Sequence, residues 1–330
     1  MGPLVSVALA TYNGEKYLRE QLDSIYNQTY KNIEVVACDD GSNDDTEKIL
    51  QEYQKRFGLR YCRNERNLGF VKNFEKAIAL CKGEYIALCD QDDIWVPEKI
   101  EVLIHSLNGK KLICSDLYLI NGSKEHIANS LYQYTNLKFY SDKQFERLVH
   151  SNFVVGCTVL FKSDLKKFIL PFPNGIPYHD WWIAFVASTL GGIEFYERPL
   201  VYYRYHGNNN SQTGKKSVVE SIMDKLVDVQ KKMSSGYYED KLRWLENISD
   251  WGYFTIEQKR YIQQMKIMYE HILTKRMPVR AAIIAIKNRK FILPRRGPFK
   301  QFIFTFGILF AGILRAFAKK KVHVTASEAW

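Results

Sequence analysis

Asp90-Gln91-Asp92-Asp93 places three carboxylates within four residues, directly after the apolar run Tyr85-Ile86-Ala87-Leu88-Cys89. Such a run ending in acids reads as a buried strand whose C-terminal end opens on a site, where open α/β sheets bind ligands. Carboxylates this close repel one another, and a divalent cation is the usual neutraliser. A solvated acidic turn is the alternative. Asp39-Asp40-Gly41-Ser42 follows a second apolar run. Its carboxylates could accept hydrogen bonds from a nucleobase or ribose, or cap the next helix. His179-Asp180-Trp181-Trp182 sets an acid beside two indoles, a partly apolar setting that can raise a carboxylate toward general-base use. The structural alternative there is a helix N-cap followed by two core tryptophans. Tyr203-Arg204-Tyr205-His206 ends a further apolar run. His206 could offer a neutral nitrogen to a metal held by Asp92, or play a structural part. Thr11-Tyr12-Asn13-Gly14-Glu15 has the form of a strand-to-helix turn whose backbone N–H groups can meet an anion.

These residues need elements to carry them. Apolar patterning predicts strands over 4–10, 33–38, 59–62 and 84–89, alternating with helices over 15–27, 44–57 and 70–81. Leu18, Leu22 and Ile25 share one helical face, as do Phe74, Ala77 and Ile78. Pro97 is placed to open the next helix. This βαβα rhythm argues for a parallel sheet covered by helices. Further along, strands are expected over 112–115, 154–161 (with Gly156 inside) and 200–205. A helix is expected over 180–190 and loop over 163–180. Gly207-Asn208-Asn209-Asn210-Ser211 has no apolar anchor and marks a domain edge; the loop 207–213 could serve as a lid. Beyond 215 the pattern is helical, with Ile222, Leu226 and Val229 on one face and a second amphipathic segment over 256–273. Neither G-x-G-x-x-G nor G-x-x-x-x-G-K-[ST] occurs, so dinucleotide and P-loop readings find no support.

The 330 residues are 46% hydrophobic and 25% charged, a globular composition. Six cysteines form no C-x-x-C pair and read as buried reduced thiols of a cytosolic chain without a secretory leader. The net charge of +11 is unevenly spread. Residues 1–214 hold 24 Lys and Arg against 26 Asp and Glu, whereas 215–321 hold 23 against 9. Between Glu270 and Glu328 thirteen cations occur and no acid. Within that stretch, 302–314 is strongly apolar and flanked by Arg295, Arg296, Lys300, Arg315 and Lys319. A spanning helix needs ~20 apolar residues, so these thirteen suit an interfacial helix on anionic lipid, or a buried core helix.

In order and spacing, six of these phrases resemble family 2 glycosyltransferases of the GT-A fold, over residues 3–213. They are Val5 to Gly14, Gln28 to Glu34, Asp39 to Ser42, Asn67-Leu68-Gly69-Phe70, Gly83 to Ile86, and Asp90 to Asp93. The resemblance implies a GT-A type, Rossmann-like, mostly parallel α/β sheet over 1–214. A basic all-helical region over 215–330 follows, for membrane-surface association or oligomerisation. Tyr12, Asn13 and Glu15 would line the nucleotide pocket, with Asp40 at the base and Asn73 and Gly156 also against the donor. Asp90 would serve the ribose or the metal, and Asp92 would bind Mn2+ or Mg2+ with His206. Asp180 falls at the catalytic base, preceded here by His179 where the family has Glu, while Trp181 and Trp182 would face the acceptor. The implied reaction is inverting transfer from a nucleoside-diphosphate sugar to a lipid-linked saccharide acceptor, in cell-surface polysaccharide assembly. The implied place is the inner face of a bacterial membrane, the chain acting alone or as a homodimer. The wording around Asp90 and His179 is most similar to rhamnosyltransferases, which points to dTDP-L-rhamnose, with UDP-hexoses as the alternative.

Two other classes compete. A nucleic-acid-binding protein would use the basic segment as a phosphate surface, yet the densest cations bracket an apolar run, which suits lipid better. A nucleotidyltransferase would want a basic glycine-rich loop after the first strand, and Thr11 to Glu15 is not one.

Overall fold

The computed structural model describes residues 2–205, 235–274 and 278–292, together with Ile308. The chain divides into two compact units, one of Met1–Leu148 with Asn152–Gly214, the other of Val149–Ser151 with Lys215–Trp330.

In the first unit β1 (Val5–Thr11), α1 (Leu18–Tyr26), β2 (Ile33–Asp39), α2 (Thr46–Phe57), β3 (Arg60–Arg63), α3 (Phe70–Leu80) and β4 (Tyr85–Cys89) alternate as the periodicity predicts. β1 lies between β2 and β4 and is parallel to both, in the registers Thr11↔Asp39 and Leu9↔Cys89. Three strands therefore finish along one edge, and the loops carrying Tyr12, Asp40 and Asp90 leave from the same side. Leu18, Leu22 and Ile25 of α1 and Phe74, Ala77 and Ile78 of α3 are all buried, the leucine, isoleucine and phenylalanine side chains worth about 1.5–3 kcal/mol each.

Past β4 come β5 (Ile94–Trp95), α4 (Lys99–His105), β6 (Leu112–Asn121), β7 (His126–Ala128), α5 (Leu131–Thr135) and α6 (Gln144–His150). They are followed by β8 (Leu160–Lys162), α7 (Lys166–Ile169), α8 (His179–Leu190) and β9 (Ile193–Tyr205). The sheet order is β3-β2-β1-β4-β8-β6-β9-β5, with β7 paired to β6. One side of the sheet is parallel. The other is mixed, because β8 runs antiparallel to β4 and β6, and β5 antiparallel to β9.

Three stretches differ from the sequence expectation. Of 154–161 only Leu160 and Phe161 are strand, the start of Leu160–Lys162, while Gly156–Thr158 forms a 3-10 turn. Lys99 Nζ takes the Cys157 carbonyl at 2.6 Å and Thr158 Oγ1 takes that of Val155, so these groups are lost to a ladder. Part of the expected loop 163–180 is helical, over Ser163–Leu165 and Lys166–Ile169. The short β5 was not legible, since two residues carry no period, yet it pairs Ile94 and Trp95 with Tyr202 and Val201. That pairing brings the end of β9 beside the acidic cluster.

The second unit contains α9 (Ser235–Ser249), α10 (Ile256–Thr274) and α11 (Val279–Ile292), with Leu245, Met265, Met268, Ile272 and Ala285 in its core. Among the described residues no helix is long and apolar enough to cross a membrane. His206, the loop 207–213, the face of Ile222, Leu226 and Val229, and the run 302–314 apart from Ile308 lie outside the described residues.

Gly83 joins α3 to β4 under tight constraint. A Cβ there would lie 2.6 Å from Leu4 O and 2.7 Å from Ser6 N, both backbone atoms of the β1 region. Gly83→Ala is expected to destabilise the unit by about 1–3 kcal/mol, seen as a lower urea midpoint. An unchanged midpoint would show that β1 and β4 can part at this point without cost.

Candidate active site

The loop after β1 is built by side chains from its neighbours. Tyr12 N donates to Gln91 Oε1 at 2.8 Å and Gln91 Nε2 donates back to Tyr12 O at 2.9 Å. Asn13 N reaches Ser42 Oγ, Gly14 N reaches Thr46 Oγ1, and Glu15 N reaches Asp44 Oδ2. Each backbone N–H from 12 to 15 is thus engaged, which corrects the reading of this turn as an anion nest. The side chains of Asn13 and Glu15 are also used, accepting from the backbone N–H groups of Asn43 and Asp45. Tyr12 differs. Its ring is 44% exposed at the cleft and free to receive a flat ligand.

Beneath it a buried polar network fixes the second loop. Asp39 accepts from Thr11 Oγ1, Ser42 N and Ser42 Oγ. Asp40 Oδ1 accepts from Asn64 Nδ2 and Leu68 N, and its Oδ2 accepts from Gly69 N at 2.9 Å. Asn73 is 2% exposed and its amide is spent on Cys38 O and Asn64 Nδ2. Asn73 therefore holds the loops in place more directly than it could hold a donor.

The acidic cluster divides. Asp90 and Asp92 line the cleft, whereas Asp93 points into the interior and is fully buried. Ligand atoms of Asp90, Asp93 and Cys157 lie within 4.8 Å of one another, and Asp92 is outside that trio. Asp93 Oδ1 accepts the Arg204 N–H at 3.0 Å, while its buried Oδ2 has no hydrogen-bond partner among the described residues. Burial first, and then the neighbouring Asp93, Asp92 and Asp180 carboxylates, push Asp90 well above the usual carboxylate range. Burial and Asp92 push Asp93 up to about 7.

Two buried cations, neither assigned a role from the sequence, hold this cluster together. Lys99 is fully buried, with Nζ 3.3 Å from the Trp95 ring centroid and 2.6 Å from Cys157 O. Burial lowers it to about 8 while the Asp93 and Asp90 charges oppose the fall. Arg204 is 1% exposed. Its Nε donates to Asp92 O at 2.8 Å and its fork reaches Gly122 O and Glu20 Oε2, with the guanidinium 4.4 Å from the Tyr17 centroid. A signal was present: Arg204 stands in an apolar strand pattern, where an arginine is retained only if paired.

Asp180 faces this cluster from the first turn of α8. It accepts from Asn152 Nδ2 at 3.2 Å, from Trp181 N at 2.6 Å and from the Gly156 N–H. Burial outweighs those bonds and lifts Asp180 to about 6. His179 stacks on Phe74 with centroids 3.7 Å apart, and neither ring nitrogen has a hydrogen-bond partner among the described residues. Burial drops it to about 3, so the ring is neutral. Gly156 gives room: a Cβ would lie 3.3 Å from His179 Nε2 and 3.4 Å from Asp180 Oδ2.

The two tryptophans do not meet the cleft. Trp181 and Trp182 are 7% and 1% exposed, and their indoles donate to Leu148 O and Ile169 O. The reading of them as an acceptor platform is corrected to core packing. The exposed ring on that side is Tyr178, at 43%, which no sequence pattern singled out. Together Tyr12, Asp90, Asp92, Gly156, Tyr178 and Asp180 line one cleft of ≈ 930 Å³, the size of a cofactor or nucleotide site.

A carboxyl whose folded pKa is raised stabilises the fold only while protonated. For Asp180 that favourable window lies below about pH 4; it is lost as pH rises to about 6, and above that the buried charge destabilises. Asp180→Asn is therefore expected to stabilise the metal-free chain by about 2–3 kcal/mol at pH 7.5, with the gain shrinking toward pH 4. Thermal unfolding at both pH values checks this. Equal gains at the two pH values would contradict the assignment.

Comparisons with known proteins bear on the family and the fold. The model described as glycosyl transferase family 2 matches residues 6–169. An uncharacterized glycosyltransferase of Rickettsia typhi is 34% identical over 218 residues, 64% of this chain and 67% of its own length. One of Methanocaldococcus jannaschii is 30% identical over 251 residues, 73% of this chain and 80% of its own. Among solved structures, S. aureus TarS 1-349 in complex with UDP-GlcNAc is similar in fold, with a TM-score of 0.55 at 16% identity, covering 88% of this chain and 82% of that one. A mixed α/β sheet of GT-A type ends its strands on a cleft lined by opposed carboxylates, and by sequence the chain belongs to glycosyltransferase family 2.

Proposed function

We propose that the chain is an inverting, metal-dependent sugar transferase acting from a nucleoside-diphosphate donor. The observation that carries this reading is the opposition of Asp90 and Asp92, at the end of β4, to Asp180, at the start of α8, across one cleft. Asp90 and Asp92 present hard carboxylate oxygens, and burial and mutual repulsion leave Asp90 short of positive charge. That donor set suits Mg2+ or Mn2+. Burial raises the neighbouring Cys157 thiol well above its usual range. When bound, the cation would neutralise the donor diphosphate and its departing charge.

Tyr12 offers its exposed ring to the base, and Asp40 Oδ2, which accepts only Gly69 N–H among the described residues, keeps a lone pair for a base N–H. Gly156 leaves space for the donor sugar beside Asp180. With its pKa near 6, Asp180 is ionised at neutral pH and still basic enough to take a proton. It removes the proton of the acceptor hydroxyl as that oxygen bonds to the anomeric carbon. The bond to the diphosphate oxygen breaks on the opposite face, so the configuration inverts. Tyr178 supplies the aromatic rim for the acceptor.

The donor we favour is dTDP-L-rhamnose, on the wording around Asp90 and His179, with UDP-hexoses as the second choice. The charge asymmetry of the chain supports a lipid-linked saccharide acceptor at an anionic membrane face, with residues 215–330 as the associating region.

The test is nucleotide release from a panel of dTDP- and UDP-sugars with Mn2+ or Mg2+. One donor is expected to be turned over, with kcat/KM rising as pH passes about 6 and then levelling. Asp180→Asn is expected to lower kcat about a thousandfold while donor affinity is kept. Loss of donor binding in that variant would reassign Asp180, and no release from any donor would overturn the reading.

A further inference from the structure

On α11 three aliphatic residues face outward: Val279, Ile283 and Ile286 are 52%, 50% and 49% exposed. At 3.6 residues per turn they and Lys290 fall within about 60° of one another. The opposite side of the same helix is buried through Ala281, Ala282, Ala285 and Ile292. Arg280 and Lys287 border the outward stripe on one side and Arg289 on the other, all exposed. The helix holds no acid, and none occurs between Glu270 and Glu328. Scattered exposed aliphatics are ordinary, but an aligned stripe with cations on both borders is the pattern of a helix lying in a lipid interface.

We infer that this face of α11 docks on an anionic membrane surface, its aliphatic stripe entering the headgroup boundary and its cations pairing with lipid phosphates. Charge complementarity selects the occupant, because four basic side chains counting Lys290 and no carboxylate would repel a second copy laid on the same face. The inference deepens the proposed function, which places the acceptor in a membrane, but it stands on the helix face alone and its test involves no sugar transfer.

Flotation of the full chain with vesicles of phosphatidylcholine, with and without phosphatidylglycerol, reads it directly. The wild type is expected to float only with the anionic vesicles. Each lysine near such a surface strengthens binding about fivefold, so Lys287→Gln with Lys290→Gln should weaken partition about 25-fold. Ile283→Asp with Ile286→Asp should abolish it, and circular dichroism should show both variants folded, since the positions are exposed. Absence of wild-type flotation would overturn the inference, as would flotation that both variants retain. So would a concentration-dependent dimer in light scattering that the isoleucine variant dissolves without any vesicle binding.

Discussion

Three carboxyls line one cleft and a fourth, Asp93, is buried behind it, and their mutual repulsion is the constraint on which the rest of the site depends. Asp90, Asp92 and Asp93 follow one another at the end of β4, and Asp180 adds to their field from α8. Burial makes the repulsion costly, because little water intervenes to screen it. The fold answers with two cations that reach the cluster from beneath. Lys99 lies under it against Trp95 and Cys157 O, and Arg204 grips the chain at Asp92 O and Asp93. Neither faces the cleft, so the negative field toward a ligand is kept while the chain that carries it is held still.

That arrangement explains other features. Arg204 can reach Asp92 because β5 pairs with β9, a two-residue contact whose purpose is otherwise obscure. The same guanidinium ties to Glu20 on α1 and to Gly122, so the acidic turn is fastened to three separate pieces of chain. Gln91, between the acids, clasps the backbone of Tyr12 and couples the first loop to the cluster. The first loop spends its N–H groups on this bracing. None of the N–H groups from Tyr12 to Glu15 is left for a phosphate.

The parallel half of the sheet was legible from the chain, since the 3.6-residue period is strong in α1 and α3, β1 and β2 are near-continuous apolar runs, and sequential neighbours lie side by side. The mixed half was not. There β8 and β5 are too short to show a period, and Gly156 was read into a strand because nothing local reveals that Lys99 and Asp180 claim the backbone around it. Site residues divide the same way. Tyr12, Asp90, Asp92, Gly156 and Asp180 were legible from motif position and do line one cleft. The orientation of Trp181 and Trp182 was not, since a helix buried nearly all round gives no apolar face to read. Lys99 and Arg204 went unassigned because the backbone groups they bind, Cys157 O and Asp92 O, are distant in sequence.

The central claim is that this cluster binds a divalent cation together with a nucleoside diphosphate. Titration of Mn2+ followed by electron paramagnetic resonance, with and without dTDP or UDP, measures it directly. The account predicts that the nucleotide tightens Mn2+ binding and that Asp92→Asn weakens it about tenfold or more. Nucleotide binding of equal strength in the presence of a chelator, or an Asp92→Asn variant with the wild-type Mn2+ titration, would contradict it.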